Sequence, residues 1–197
     1  MSDFKIRGIE IHSRSMWYHA HVNRVLSFME NNGFNALIFH QSDILNNLVL
    51  PSKYISKELM WNKFRGMRTF HIENNQNYLN LFIGKAKGKN IKFYLSIKEI
   101  YFPDEVLELF PFLVKENNIA CPTDPFWIDY IEACMEDLCL ALPELSGVIL
   151  SAGTHEARTS ITKKNPCGCQ RCKNTKAFDW YYSIFNIIGK VLGKYGK

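Results

Sequence analysis

Nothing in the chain is built to cross a bilayer or to cradle a nucleotide. No apolar run approaches the roughly 18 residues that a spanning helix requires, and no charged-then-apolar leader precedes Phe4. The expectation is a cytoplasmic protein with no membrane partner. No Gly-x-Gly-x-x-Gly follows the first candidate strand and no Walker-type lysine loop occurs, which argues against dinucleotide and nucleotide binding. Dense basic stretches are scarce: apart from Lys85 to Lys92, the lysines and arginines behind the formal charge of +5 are scattered among acids, so nucleic acid is not implied. Cysteines number only six, and without a leader disulfides are the weaker reading. No matched histidine base accompanies any of them, which disfavours a catalytic cysteine.

What is present is material for a core. Hydrophobic residues make up 47% and aromatics 14% of 197 residues, a length that suggests one domain or part of a larger one. The stretch around which the rest is organised is Gly147 to Arg158. Val148, Ile149 and Leu150 form a short apolar run after a glycine, which predicts a strand covered on both faces. His155 and Glu156 then fall just past its carboxyl end, where parallel α/β folds bind their ligands.

The same pattern repeats upstream. Arg7 to His12 alternates and predicts a first strand that delivers His12, Ser13 and Arg14 to its tip. A helix follows, with Tyr18, Val22, Val25, Leu26 and Met29 on one face and a stop at Asn31-Asn32-Gly33. Phe34 to Phe39 predicts a second strand ending in His40-Gln41-Ser42-Asp43. After a long connection, a helix from Glu73 to Lys87 leads to a third strand, Ile91 to Ile97, and to Lys98-Glu99-Ile100 at its tip. Asp124 and Pro125 open a helix that precedes the fourth strand. A last helix is predicted to bury Phe178, Tyr181, Phe185, Ile188 and Leu192.

Alternating strands and helices require a parallel sheet with right-handed crossovers, and polar residues at all four tips favour a (β/α) barrel over an open doubly wound sheet. Four units are half of a TIM barrel, so residues 1–197 are expected to form one partial barrel domain with a Cys-rich loop at 159–175. Open edges and an exposed apolar interior would then call for self-association or for a chain that supplies the missing half, unless the sequence is a truncated relic of a longer enzyme.

Three tips resemble, in order, the β-hexosaminidase family of glycoside hydrolases, family twenty. His40-x-Ser42-Asp43 resembles its His-x-Thr-Asp, Glu99-Ile-x-x-Pro103 its Glu-Ile-Asp-x-Pro-Gly-His, and Gly153-Thr-His-Glu156 its Gly-Gly-Asp-Glu. The fourth unit also resembles the α-glucuronidase family, in which a Glu after strand four is the acid. The resemblance implies the N-terminal half of a (β/α)8 barrel acting on a hexosaminide or uronoside. Glu156 would be the general acid and His155 would stand where the hexosaminidases have the Asp that orients the substrate acetamide. Arg14, His40, Asp43 and Glu99 would be substrate-binding candidates, Glu99 also a brace of the barrel mouth. No cofactor is required for such catalysis, which needs a proton donor and a second group opposite it across the sugar ring.

Cys167-Gly-Cys169-Gln-Arg-Cys172 places three thiolates within six residues, close enough to share a structural zinc ion if a fourth ligand comes from elsewhere. Plain reduced thiols are the equal alternative. A separate reading of the whole chain is a non-catalytic carbohydrate-binding or interaction module whose loop is stapled by metal.

Overall fold

The computed structural model describes residues 4–12, 14–56, 58–59, 67–115, 119–152, 157–162 and 167–197. Strands β1 (Gly8–Ile11), β2 (Ala36–His40), β3 (Lys92–Ile97) and β4 (Gly147–Leu150) form one parallel sheet in the order β1-β2-β3-β4. Between and after them run helices α1 (His19–Asn31), α2 (Met67–Lys87), α3 (Asp104–Leu109), α4 (Phe126–Ala141), α5 (Gln170–Asn174) and α6 (Ala177–Lys194). A strand order that advances one step at a time, with right-handed crossovers, puts the connecting helices on one face of the sheet. That is the winding of a (β/α) barrel, whereas a doubly wound sheet reverses direction.

Register explains how the two faces differ. Ile9, Leu37 and Phe93 lie in one row and Ile11, Phe39, Leu95 and Val148 in the next, all on the face that packs into the core. Leu37, Phe39, Phe93 and Leu95 are fully buried, each worth about 1.5–3 kcal/mol against exposure, and the Phe39 and Phe93 rings meet edge to face at 4.7 Å. The opposite face carries Glu10, Ile38 and Tyr94, then His40, Ser96 and Ile149. Glu10 and Ile149 there are exposed.

This corrects two expectations. β4 is an edge strand, and Ile149 is 40% exposed rather than covered on both faces. The face of the sheet turned away from the helices is mixed in polarity rather than apolar, because Glu10 and the half-buried Tyr94 phenol lie on it.

The helices form where the apolar spacing places them. Val22, Leu26 and Met29 of α1 are buried, and Gly33 ends the helix in the left-handed region at φ +70°. Tyr18, expected on that buried face, flanks the helix and is exposed. α2 starts six residues earlier than Glu73, at Met67, and its Leu79, Phe82, Ile83 and Ala86 reach the core. α4 begins one residue later than expected, at Phe126 with Pro125 at the N-cap position, and the Asp124 carboxylate accepts the Phe126 N–H at 3.2 Å. In α6 the phase differs: Trp180, Ile184, Ile188 and Val191 are buried, while Phe178 and Phe185 are exposed. Both sets have helical period, so spacing alone does not choose between them. Contact with α4 does, since α6 packs along it and the Trp180 indole N–H donates to the Pro122 carbonyl at 2.9 Å.

Candidate active site and cysteine cluster

Parallel register brings the carboxyl ends of β1, β2 and β3 to one edge of the sheet, and polar side chains gather there. His40, the last residue of β2, is buried, and its Nδ1 lies 2.6 Å from Glu10 Oε1. A carboxylate only accepts, so this bond places the proton on Nδ1. The His12 ring, one residue past β1, stacks on His40 with centroids 4.1 Å apart and planes 4° from parallel. Glu10, His12 and His40 offer ligand atoms within 4.8 Å of one another. Beside them a second chain of bonds runs from the Trp17 indole N–H to Gln41 Oε1 at 2.8 Å, and from Gln41 Nε2 to Asp43 Oδ1 at 2.6 Å.

Among the substrate-binding candidates, the structure therefore brings together His40 and its neighbours after β2. Asp43 is engaged by Gln41, and Arg14, itself exposed, begins a 3-10 turn, Arg14–Trp17, whose Met16 is buried. Glu99 is buried at the tip of β3, where Oε1 accepts the Tyr181 hydroxyl of α6 at 3.3 Å. Its Oε2 has no hydrogen-bond partner among the described residues. Tyr181 also lies 3.4 Å from Ser160 Oγ and 3.2 Å from Thr162 Oγ1, so Glu99 ties the β3 tip to the segment after β4. Lys98, likewise buried, donates to Ser151 Oγ at 3.2 Å and joins the tips of β3 and β4. His155 and Glu156, the catalytic candidates, lie outside the described residues.

One member of this edge was not singled out in the sequence. The alternation of Arg7 to His12 already puts Glu10 and His12 on one face, which is enough to find Glu10. Lys98 was placed at the third tip but given no role, because a lysine after a strand is ordinarily solvated.

The cysteine triplet is one side of a larger cluster. Cys121, which precedes α4, joins Cys167, Cys169 and Cys172, and all four sulfurs lie within 4.8 Å of one another. Cys121 Sγ is 3.7 Å from Cys169 Sγ and 3.6 Å from Cys172 Sγ, and Cys167 Sγ is 3.3 Å from Cys172 Sγ. All are free thiols. Within the loop expected at 159–175, α5 forms with Cys169 as its N-cap, the sulfur accepting the Cys172 N–H at 3.4 Å. That bond draws the Cys169 thiol down to about 6, whereas burial pushes Cys167 up. Gly168, at φ +71°, supplies the left-handed turn between two ligand-type residues.

Two cavities among the described residues lie apart from the Glu10, His12 and His40 group. One of about 380 Å³ is lined by Val49, Ile55, Ile72, Gln76 and Leu140, between the segment after β2 and helices α2 and α4. Its lining is mainly apolar, and none of the strand-tip candidates borders it. No helix among the described residues is long and apolar enough to cross a membrane.

No protein-family model matches the chain, and no curated protein matches it in sequence. Among solved structures, the chain is similar to the GH20 β-N-acetylhexosaminidase from Streptomyces coelicolor A3(2), with a TM-score of 0.58 and 11% identity over 99% of this chain and 38% of that one. It is similar to the GH20 exo β-N-acetylglucosaminidase from Vibrio harveyi, solved with N-acetylglucosamine, at 0.57 and 13% over 99% of this chain and 35% of that one. A GH138 enzyme targeting pectin rhamnogalacturonan II gives 0.57 and 15% over 98% of this chain and 22% of that one. The chain thus spans 22% to 38% of the length of these enzymes. At such identities the likeness establishes the fold, the parallel α/β arrangement of these glycoside hydrolase barrels.

Proposed function

We propose that this chain is a glycoside-hydrolase-like module for a hexosaminide or uronoside, with Glu156 as general acid. The observation that carries the reading is the convergence of Glu10, His12 and His40 at the carboxyl end of a sequentially wound parallel sheet, in a fold shared with GH20 and GH138 enzymes. A site of hydrogen-bonding groups at strand tips suits a ligand rich in hydroxyls.

In this reading Glu156 gives its proton to the leaving glycosidic oxygen, a role that calls for a carboxyl whose proton affinity is raised toward neutral pH. His155 is assigned beside it from the sequence alone. His40, buried behind Glu10, holds that carboxylate and the stacked His12 ring at the exposed rim, where they meet sugar hydroxyls, and Asp43 and Arg14 contribute from the same rim. Glu99 braces the mouth. Lys98 joins the β3 and β4 tips through its bond to Ser151. The chemistry draws on no cofactor, and a metal in the cysteine cluster would be structural. A second group opposite Glu156 is still needed. Glu10, exposed at the strand tips, is the candidate among the described residues, and further barrel strands are the other source.

Sedimentation combined with hydrolysis of aryl N-acetylhexosaminides and aryl glucuronides tests this reading. The expected result is turnover by the associated or complemented form that disappears with Glu156→Gln. Turnover that survives Glu156→Gln removes the acid assignment. Saturable sugar binding without turnover in any state moves the chain to the carbohydrate-binding reading.

A further inference from the structure

The structure assigns a closed zinc site to Cys121, Cys167, Cys169 and Cys172, with Cys121 as the fourth ligand that the Cys-x-Cys-x-x-Cys motif lacks. A tetrahedral ion with Zn–S bonds of about 2.3 Å has sulfur–sulfur edges of about 3.8 Å. The contacts of 3.3, 3.6 and 3.7 Å, with every pair inside 4.8 Å, fit that figure. They are far from the bond length of a disulfide, about 2.05 Å. Four thiolates and no open position is the ligand set of a structural site, and tetrahedral sulfur selects zinc or iron. Closed four-cysteine sets are characteristic of structural zinc, and zinc is the assignment. Each thiol releases its proton to solvent as the ion enters, leaving a net charge of −2 on the cluster, and Arg171 and Lys173 of α5 flank it.

The surroundings are built for a fixed site. Cys121, Cys167 and Cys172 are buried, with Cys169 at the edge. The backbone on both sides of Cys121 is held by buried side chains: Thr159 Oγ1 donates to the Ala120 carbonyl at 2.7 Å and the Trp127 indole N–H to the Cys121 carbonyl at 2.7 Å. Thr123 Oγ1 lies 3.2 Å from Cys172 Sγ, and Arg171 pairs with Asp124 at 3.1 Å. Such bonds to backbone and sulfur orient ligands. The consequence is a cross-link between chain segments 48 and 51 residues apart, which fixes the far end of the connection leaving β4. The inference stands whether or not the chain hydrolyses a glycoside.

The test is metal analysis of the purified chain with variants. Plasma mass spectrometry should find about one zinc per chain, as a single four-ligand site requires. Replacement by cobalt(II) should give the intense visible bands of tetrahedral thiolate coordination. Cys121→Ser should reduce zinc retention against a chelating competitor by at least about tenfold, while Cys139→Ser, a buried cysteine outside the cluster, retains it. Cys169→Ser, at the partly exposed edge, should behave like Cys121→Ser and covers the case in which the buried variant does not fold. Bound iron, full retention in both ligand variants, or a metal-free native chain whose four thiols alkylate freely would each overturn the assignment.

Discussion

Both polar clusters of this molecule gather ligand-type side chains within 4.8 Å, yet they are satisfied in different ways. At the strand tips the partners are unlike and satisfy each other: Glu10 accepts from His40, His12 stacks on that pair, and Glu10 and His12 face solvent. Before α4 and in α5 the partners are four thiols, three of them buried, whose close neighbours are mostly one another. Thiols are weak hydrogen-bonding groups, so their assembly is best stabilised by an added cation. The strand tips thus look prepared for a ligand that comes and goes, and the cysteines for one that stays. Substitutions on the cysteine side should therefore act mainly on stability, and those at the tips mainly on binding.

The largest expected effect lies beneath the cysteines. Trp127 is buried, stacks on Phe102 at 4.6 Å and holds the Cys121 carbonyl. Trp127→Ala should remove about 3–5 kcal/mol of stability, seen as a lower urea midpoint, and should weaken zinc retention together with it. Loss of stability with unchanged zinc retention would separate the cluster from the core. Next is Thr159→Val, which leaves the buried Ala120 carbonyl without its side-chain donor. A loss of about 1–3 kcal/mol is expected, and hydrogen exchange should report it in the residues around Cys121 rather than in β1 or β2.

The other side of the comparison predicts a small stability change. Glu10 is 44% exposed at its side chain, and a hydrogen bond so open to water contributes about 1 kcal/mol or less. Glu10→Gln should accordingly leave the denaturation midpoint nearly in place while lowering sugar affinity or turnover, measured by titration with aryl glucuronides. A large fall in stability with unchanged binding would make the pair a brace.

How far the sequence disclosed this arrangement differs between the two clusters for physical reasons. Strand tips are legible because period-two alternation and the turn after each strand fix which residues end up at the edge, so His40 and Glu99 could be located before the structure. β4 was read as doubly covered because Val148-Ile149-Leu150 carries no sign of which strands flank it, and edge position is a property of the whole sheet. The phase of α6 was misread because its apolar residues surround the helix, and only the packing of Trp180 against the Pro122 carbonyl selects a face. Cys121 was left out of the cluster because its ligand-type partners are 46 or more residues away and no local spacing connects them. His155 and Glu156 were named from the sequence and from resemblance alone.

The smallest expected effect sharpens the comparison by pH. The Tyr78 hydroxyl of α2 donates to the Met16 carbonyl at 2.8 Å, in the 3-10 turn that follows β1, and its ring lies 5.5 Å from Trp17, which holds Gln41. Burial raises the phenol from 10.0 to about 12. The unfolded chain loses this proton near pH 10 and the folded chain keeps it until about pH 12, so between those values the unfolded state binds fewer protons and stability falls as pH rises. The contribution is fully present below pH 10. Because the phenol is only half-buried, solvent screening reduces the loss to about 1 kcal/mol. Urea denaturation at pH 9 and pH 11, about one unit on either side of the unfolded value, should show this loss in the wild type and not in Tyr78→Phe. Hydrogen exchange should place the loosening in the turn after β1 and the start of α1. The amides around Cys121 should keep their protection in zinc-loaded protein, because four-thiolate coordination needs no protonated group. Equal loosening at both clusters would mean that they share one stability, and the contrast between them would then fail.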